Sequence, residues 1–287
     1  MGTFAGHALP GSFFIIFALW WTFQMYHRYL TCCRKKLPFT STPTYPCVCF
    51  CGRTKTWPIE SLIKIFFATV GVSLEIYTGM NNGVFNTPEN AQHSTMFFFF
   101  GMTGVADLLV YYRFPVLKDL DYVSMIFAVV VEGILFRFHL SGRDPLDVLI
   151  HTLLVYTIGA NILAVMAEMK WRHSFHIALA RTYFIFLQGT WFWQIGFILY
   201  NPLPGAKEWD PEHHRSHLIA TMYFAWHCGV TFIIMLCIGG CVTCFHKKFR
   251  PNNNIEIDMK PLMATAETNG NTFIPVNMDS DNSEFET

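Results

Sequence analysis

The sequence predicts an all-α membrane protein built as a bundle of seven transmembrane helices. Seven apolar stretches of roughly 20 residues occur in the chain, which is the length needed to cross a hydrocarbon core of about 30 Å. The composition agrees, because 52% of the residues are hydrophobic and only 14% are charged, against about 25% charged in soluble domains. The runs are continuous, which excludes the alternating strands of a β-barrel. The predicted helices are residues 9–26, 59–78, 94–112, 120–138, 146–166, 180–200 and 218–245.

The distribution of Lys and Arg predicts the orientation of the bundle. Cytoplasmic loops of membrane proteins carry the excess of these residues. Of the 20 in the chain, 15 fall on the side that holds the first loop and the C-terminus. We therefore expect the N-terminus to be outside or lumenal and the C-terminus to be cytosolic. The other side carries Arg137, Arg143, Lys207 and Arg215, while Lys64 falls inside the second helix.

Two domains are expected from the change in composition near residue 250. Residues 1–250 form the seven-helix domain, and residues 251–287 are polar and acidic. A segment of that composition buries too little apolar surface to fold alone. We interpret it as a disordered cytosolic tail that could recruit cytosolic partners.

Small residues and cysteines give two further predictions. Gly189 and Gly196 are seven residues apart in helix 6, so they share a face that lets a neighbouring helix approach closely. Cys32 and Cys33 lie beside basic residues at the inner end of helix 1, where palmitoylation occurs. None of the nine cysteines falls in a predicted external loop, so no extracellular disulfide framework is expected.

Ionisable residues inside the apolar stretches mark the candidate site, because such groups are costly in a bilayer and usually face the bundle interior or a cavity. Asp147 and His151 form an i,i+4 pair on one face of helix 5. The short connection between helices 4 and 5 should bring His139 close to His151. The pocket candidates are His93, Glu132, His139, Asp147, His151 and His227, supported by Glu75 and Asp107.

Several interpretations of these residues remain open. Imidazole and carboxylate groups suit zinc and similar divalent ions, with outer carboxylates orienting each His. The same groups could form a proton relay, because His titrates near neutral pH. A His at a helix end can also be a simple interfacial residue. No metalloprotease, phosphate-loop or dinucleotide-binding motif is present.

Six motifs stand out along the chain: residues 6–11, 92–96, Leu146-Asp147 with His151, residues 188–197, 208–210 and Trp226-His227. They resemble the transmembrane protein 45 family, which includes the transmembrane epididymal proteins. The resemblance runs from the N-terminus through helix 7 and is most specific in helix 6. It implies a multi-pass membrane protein without an established biochemical activity, and it includes the pocket candidates and Asp107. The Cys-rich first loop and the tail depart from the family pattern and are closer to the epididymal branch.

The sequence therefore predicts a multi-pass protein of the plasma membrane or secretory pathway, with an outward-facing His/carboxylate pocket for a metal ion or small ligand. One alternative is a metal-assisted lipid hydrolase with Glu132 or Asp147 as base. Another is a scaffold or trafficking protein without a catalytic site. A G-protein-coupled receptor is disfavoured, because its usual helix 3 Asp-Arg-Tyr and helix 7 Asn-Pro-x-x-Tyr motifs are missing. The expected partner is the lipid bilayer, with no nucleic acid. The sequence leaves open whether the protein is an enzyme and how it oligomerises.

Overall fold

The computed structural model describes residues 3–45, 57–140 and 142–249, which contain seven α-helices and one small β-hairpin. The compact unit that contains them extends to Pro251. The tail, residues 251–287, lies outside the described residues, so its disorder stays a prediction. The helices are α1 (Phe4–Lys35), α2 (Ile59–Thr78), α3 (Pro88–Tyr111), α4 (Leu120–His139), α5 (Pro145–Lys170), α6 (Phe175–Leu199) and α7 (His214–Phe249).

The predicted class, an all-α membrane protein, is confirmed. Four helices of the described part, α1, α3, α5 and α7, are long and apolar enough to cross a membrane. The longest helices extend beyond the predicted spans because hydropathy marks only the part that lies in lipid. Helix α1 begins where the Thr3 hydroxyl accepts a hydrogen bond from the Gly6 amide, 3.1 Å away. It ends at Lys36, whose left-handed backbone (φ 53°) closes the last turn.

One local feature was not predicted from the sequence. The connection between α2 and α3 contains strands β1 (Met80–Asn81) and β2 (Val84–Phe85), which pair antiparallel. Asn82 and Gly83 form the turn with φ values of 51° and 80°. An Asn-Gly turn with two positive φ values matches the twist of a tight hairpin. The signal was present in the sequence but lay between two strong apolar stretches.

Two helix pairs pack through glycine. A Cβ on Gly11 of α1 would lie 2.8 Å from the carbonyl oxygen of Gly189 in α6. A Cβ on Gly104 of α3 would lie 2.9 Å from the carbonyl oxygen of Ser61 in α2. Only glycine permits backbones to approach this closely. The structure thus places Gly189 at a helix contact, as predicted.

The rest of the bundle follows chain order. Helix α4 packs between α3 and α5, α5 packs against α6, and α7 lies against α1, α5 and α6. The outward faces are apolar: Phe66, Leu163 and Ile233 are 61%, 69% and 59% exposed. A surface of this kind would be unfavourable in water and is matched to lipid. Polar side chains therefore have to find partners inside the bundle.

Candidate functional site

Arg143 joins the ends of α4 and α5 at one end of the bundle. Its Nη1 donates to Asp147 Oδ2 at 2.9 Å, and its Nε donates to the main-chain oxygen of His139 at 3.1 Å. Its Nη2 lies 2.6 Å from His139 Nε2. Burial alone would lower the pKa of Arg143, but hydrogen bonds to Asp147 and Tyr200 outweigh it and raise that pKa. The guanidinium therefore stays charged and ties the two helix ends together.

His151 lies one helical turn further along α5 and is buried. Its Nδ1 is 3.0 Å from the main-chain oxygen of Asp147 and 2.6 Å from Asp147 Oδ1. The ring N–H is aimed at the main-chain oxygen, so Oδ1 is close to His151 but has no hydrogen-bond donor among the described residues. We take the main-chain contact as the hydrogen bond and the Oδ1 contact as electrostatic.

His7 of α1 completes this part of the site and was missed from the sequence. Its ring centroid is 5.7 Å from that of His151 and 5.4 Å from that of Tyr200. Its Nδ1 is 3.0 Å from the main-chain oxygen of Thr3. The hydropathy pattern placed the start of helix 1 at residue 9, which left His7 outside the helix. The capping signal at Thr3 could have corrected this.

A second arm of polar side chains continues from His139 to α2. His139 Nδ1 is 2.9 Å from Gln92 Oε1, and the rings of His139 and His93 are 6.0 Å apart. His93 Nδ1 lies 3.4 Å from Glu75 Oε1. The Glu75 carboxylate also accepts a hydrogen bond from Asn90 Nδ2 at 2.8 Å. Arg143 thus links His139 to Asp147 across the helix 4–5 turn, with His93 and Glu75 beside them. The convergence of His139 with His151 stays a prediction.

The hydrogen bonds determine what the outer cluster can offer a ligand; we use that name for His7, His93, His139, Arg143, Asp147 and His151. A carbonyl oxygen can only accept, so neutral His7 and neutral His151 must carry their proton on Nδ1. Their Nε2 atoms are then acceptors. Asp147 Oδ1, beside His151, is buried and has no donor among the described residues, and the hydrogen bonds of both rings in the described part of the chain are made through Nδ1.

Three predicted residues lie elsewhere. Glu132 Oε1 accepts from Gln188 Nε2 at 2.8 Å within the bundle. Asp107 Oδ2 accepts from Lys64 Nζ at 2.9 Å. His227 Nε2 is 3.4 Å from Gln194 Oε1, and its ring lies 5.6 Å from that of Trp191. The structure therefore does not bring Glu132 or His227 to His139 and His151.

A metal site would need several ligating side chains placed around one point. Within residues 3–45, 57–140 and 142–249, no group of three or more His, Cys, Asp or Glu side chains is placed to hold one metal ion. His7 and His151 come from two helices and form a pair of rings 5.7 Å apart. Their ring N–H groups are held by carbonyl oxygens, which is how metal-binding histidines are usually oriented.

Sequence reasoning also missed two buried ionic clusters at the opposite end of the bundle. In the first, Glu60 accepts hydrogen bonds from Trp20 Nε1 at 3.3 Å and Trp21 Nε1 at 2.7 Å. Lys64 Nζ lies 3.4 Å from Glu60 Oε1 and 2.9 Å from Asp107 Oδ2. The cluster links α1, α2 and α3. Lys64, a basic residue inside the second apolar stretch, was the available signal.

The second cluster links α4, α5 and α6. Arg181 and Glu168, both fully buried, form a salt bridge, and Tyr122 donates to Glu168 Oε1 at 3.1 Å. The Arg181 guanidinium lies 4.8 Å from the Trp21 ring centroid, so Trp21 contacts both clusters. Burial raises the pKa of the nearby loop residue Tyr45 to about 12, and its phenol is therefore neutral. Both clusters are fixed by aromatic groups and serve as structural ties.

The cysteines predicted as acylation sites lie at the end of α1. Cys33 is exposed and Cys32 is half-buried against the core, and both are free thiols. Arg34 and Lys35 occupy the same last turn. The geometry leaves the Cys33 thiol accessible at the predicted inner membrane interface.

The chain is similar to one family model and to several known membrane proteins. Residues 118–240 match the model of a family of unknown function, DUF716. The chain is 25% identical over 270 residues to transmembrane epididymal protein 1A of Mus musculus, covering 88% of this chain and 85% of the relative. It is 24% identical over 268 residues to transmembrane epididymal protein 1 of Rattus norvegicus, covering 87% and 84%. For transmembrane epididymal protein 1 of Homo sapiens the values are 25% over 169 residues, 58% and 62%.

These similarities agree with the apolar helices and with the predicted location in a membrane. The matched family segment includes α4, α5, α6 and most of α7, and thus Glu132, His139, Asp147, His151 and His227. The resemblance expected from the sequence motifs is confirmed: residues 118–240 of this integral membrane protein match the DUF716 family model, and the chain is similar over most of its length to transmembrane epididymal proteins of Mus musculus and Rattus norvegicus.

Proposed function

We propose that all seven helices span the membrane, with the N-terminus outside and the C-terminus in the cytosol. Helices α2, α4 and α6 have 20, 20 and 25 residues. At 1.5 Å per residue, roughly 30 Å or more, they match the hydrocarbon thickness. Their buried ionisable groups have partners inside the bundle: Lys64 with Asp107, Glu132 with Gln188 and Arg181 with Glu168. Such pairing is the condition under which charged residues are tolerated in lipid.

In this orientation the outer cluster faces the lumenal or extracellular side, and its proposed function is to bind a small ligand that carries positive charge or hydrogen-bond donors. The observation that carries this proposal is the pair His7 and His151. Both rings have Nδ1 bound to a carbonyl oxygen and Nε2 open, and their centroids are 5.7 Å apart. Acceptors without donors are costly when buried, so a ligand that supplies donors would be stabilised there.

Two classes of ligand could bind these acceptor atoms. A divalent metal ion could bind between the two Nε2 atoms, with water completing its coordination. A small organic ammonium ion could instead donate hydrogen bonds to the same nitrogens and to Asp147 Oδ1. Arg143 does not compete for these atoms, because its charge is already engaged by Asp147 Oδ2 and its N–H groups by His139.

The hydrolase alternative has weaker support. Of the two acids proposed as base, Glu132 is bonded to Gln188 away from the histidine pair. Asp147 is adjacent to His151 but is held by Arg143 in an ion pair. A base held in this way is a poor proton acceptor, so we favour ligand binding over hydrolysis.

Melting of the purified full-length protein in lipid nanodiscs tests the binding function. The probes are Zn²⁺ and ethanolamine, with inorganic phosphate as an anionic comparison. One of the two cationic probes should raise the melting temperature of the wild type, and phosphate should not. The shift should disappear in His7→Ala and in His151→Ala.

The matched control is His227→Ala, which removes a histidine outside the outer cluster and should keep the full shift. Response to Zn²⁺ alone identifies a metal site, whereas response to ethanolamine alone identifies an ammonium site. Absence of any shift in the wild type, or equal shifts in all three variants, would remove the binding function and favour the scaffold hypothesis.

A further inference from the structure

An apolar cavity of about 110 Å³ lies inside the bundle, separate from the outer cluster. Its walls come from α1 to α6 and include Phe17, Phe67, Phe100, Val129 and Ile185. An engineered apolar cavity of about 150 Å³ stays dry and takes up benzene. A cavity of this size and character therefore fits a segment of a hydrocarbon chain better than it fits water.

The cavity borders the gap between α1 and α2. Helix α1 packs closely on α6 and α2 on α3, each through glycine. Between α1 and α2, the described contacts are made by side chains, such as the rings of Phe13 and Phe67 at 4.5 Å. Phe13, Phe17 and Phe67 line the cavity and are only half-buried. A chain that entered between these rings could continue outward into the bilayer.

Asn161 is the polar group in the wall that lacks a partner. It is 1% exposed, and its Oδ1 has no hydrogen-bond donor among the described residues. The Thr103 hydroxyl donates to the main-chain oxygen of Phe100, and Lys64 is bound by two carboxylates. A lone water at Asn161 would find few of the two to four polar partners that a buried water needs. The cavity thus lacks one hydrogen-bond donor at its polar wall.

The charge beside the cavity decides which head group could supply that donor. Lys64 faces Glu60 and Asp107, which leaves this cluster with one excess negative charge when all three groups are ionised. An anionic head would be repelled and would also lose its hydration. A hydroxyl group is neutral, donates one hydrogen bond and needs no counter-charge. It matches the single open acceptor of Asn161.

We propose that this cavity binds a single-chain lipid with a hydroxyl head group. The hydroxyl donates to Asn161 Oδ1, the adjoining methylenes fill the space between Phe17, Val129 and Ile185, and the remaining chain leaves between α1 and α2. This site is independent of the outer cluster, because none of the outer-cluster residues lines the cavity.

The test uses the full-length protein in nanodiscs and a long-chain alcohol that carries a photoreactive diazirine and a terminal alkyne. Matched analogues with a carboxylate head and with no head serve as comparisons. After irradiation, labelled peptides are mapped by mass spectrometry. The alcohol should label peptides of α1 and α2 that line the cavity, more strongly than either analogue does.

Two substitutions should reduce that labelling. Val129→Phe fills the cavity and should reduce it to background, and Met125→Phe provides a second filling variant from the same helix. Asn161→Leu removes the acceptor and should reduce it about fivefold, the effect of losing one neutral hydrogen bond of about 1 kcal/mol. The matched control Leu163→Phe changes a lipid-facing position of α5 and should label like the wild type.

Melting curves and elution profiles identify variants that fold, and only those are compared. Labelling that is spread over the lipid-facing surface, or that persists in a folded cavity-filling variant, would overturn the cavity as a lipid site. Equal labelling by the alcohol and the headless analogue, or full labelling of Asn161→Leu, would overturn the assignment of the hydroxyl to Asn161.

Discussion

The buried pair Arg181 and Glu168 joins two helices, α6 and α5. Arg181 and Glu168 are both inaccessible, and Trp21 and Tyr122 contribute a ring contact and a hydrogen bond to the pair. A buried ion pair repays its desolvation only when the geometry and the additional hydrogen bonds are good. When one residue of such a pair is removed, the charge of the other stays buried without an opposite charge beside it.

Arg181→Met should therefore destabilise the fold by roughly 3–5 kcal/mol, because it leaves Glu168 unpaired. The double variant Arg181→Met/Glu168→Gln should lose less than the sum of the two single losses. Unfolding in mixed detergent micelles measures these changes. Arg172→Met is the control, since its pair with Asp119 is partly exposed and should cost at most about 1 kcal/mol. Equal losses for Arg172 and Arg181 would contradict the structural role of the buried pair.

The exposed thiol of Cys33 leads to a second prediction at the residue scale. Cys33→Ser should abolish most acyl-exchange labelling of α1, because its thiol is accessible beside Arg34 and Lys35. Cys32→Ser should reduce labelling much less, because its side chain packs against the core. The measurement is acyl-exchange labelling of protein from intact cells. Labelling that is equal in wild type and Cys33→Ser would assign acylation to other cysteines, such as the exposed Cys241 and Cys244.

At the scale of the helices, close approach at glycine organises the bundle. Gly11 and Gly189 allow α1 to reach α6, and Gly104 allows α3 to reach α2. These tight pairs leave the space between α1 and α2 to be bridged by aromatic rings. The same packing that positions His7 next to His151 therefore also creates the cavity beside Asn161.

Gly189→Ala should destabilise the protein by about 1–3 kcal/mol, because the added methyl group would sit 2.8 Å from the Gly11 carbonyl oxygen. Gly159→Ala in α5 is the matched control: nothing lies within 4 Å of the added Cβ. That control should be neutral or stabilising by up to about 1 kcal/mol, since alanine restricts the unfolded chain. Thermal melting of both variants in the same nanodiscs measures the difference, and a neutral Gly189→Ala would contradict the close α1–α6 contact.

The sequence predicted the positions of the helices but not the side-chain partners that come from distant parts of the chain. Apolar runs located the helices, since burial in lipid acts on each residue separately. The short turn after His139 indicated that α4 and α5 are neighbours, which the structure has, while the predicted approach of His139 to His151 stays a prediction. Partners from distant segments were not predictable: His7 and Arg181 acquire their roles only when α1 and α6 pack against α5. Glu132 was predicted to belong to the pocket because it lies inside an apolar stretch. Its partner is instead Gln188, which comes from another helix.

At the scale of the whole molecule, polar groups divide between the two ends of the bundle. The outer cluster lies where α4 ends and α5 begins, while the two buried ionic clusters involve the opposite ends of α2, α3, α5 and α6. Both arrangements place charge near a membrane interface and leave a largely apolar middle.

The positions of the two termini show whether the number of membrane spans is odd or even. Seven spans place the N-terminus and the C-terminus on opposite sides of the membrane. If only α1, α3, α5 and α7 crossed, as length and apolar composition alone would allow, an even number of spans would place both termini on the same side. Epitope tags at the two ends of the full-length protein, detected before and after selective permeabilisation, therefore separate the two topologies.

The expected result is access to the N-terminal tag without permeabilisation of its compartment and access to the C-terminal tag only from the cytosol. Cysteine labelling with a membrane-impermeant maleimide provides an independent check. Gly205→Cys, in the open α6–α7 loop, should react from outside, whereas native Cys33, once hydroxylamine has removed any acyl group, should react only from the cytosol. Both termini on one side would contradict the seven-span topology. A cytosolic N-terminus would instead turn the outer cluster inward, because His7 lies only four residues after the cap of α1, and its ligand would then have to come from the cytosol.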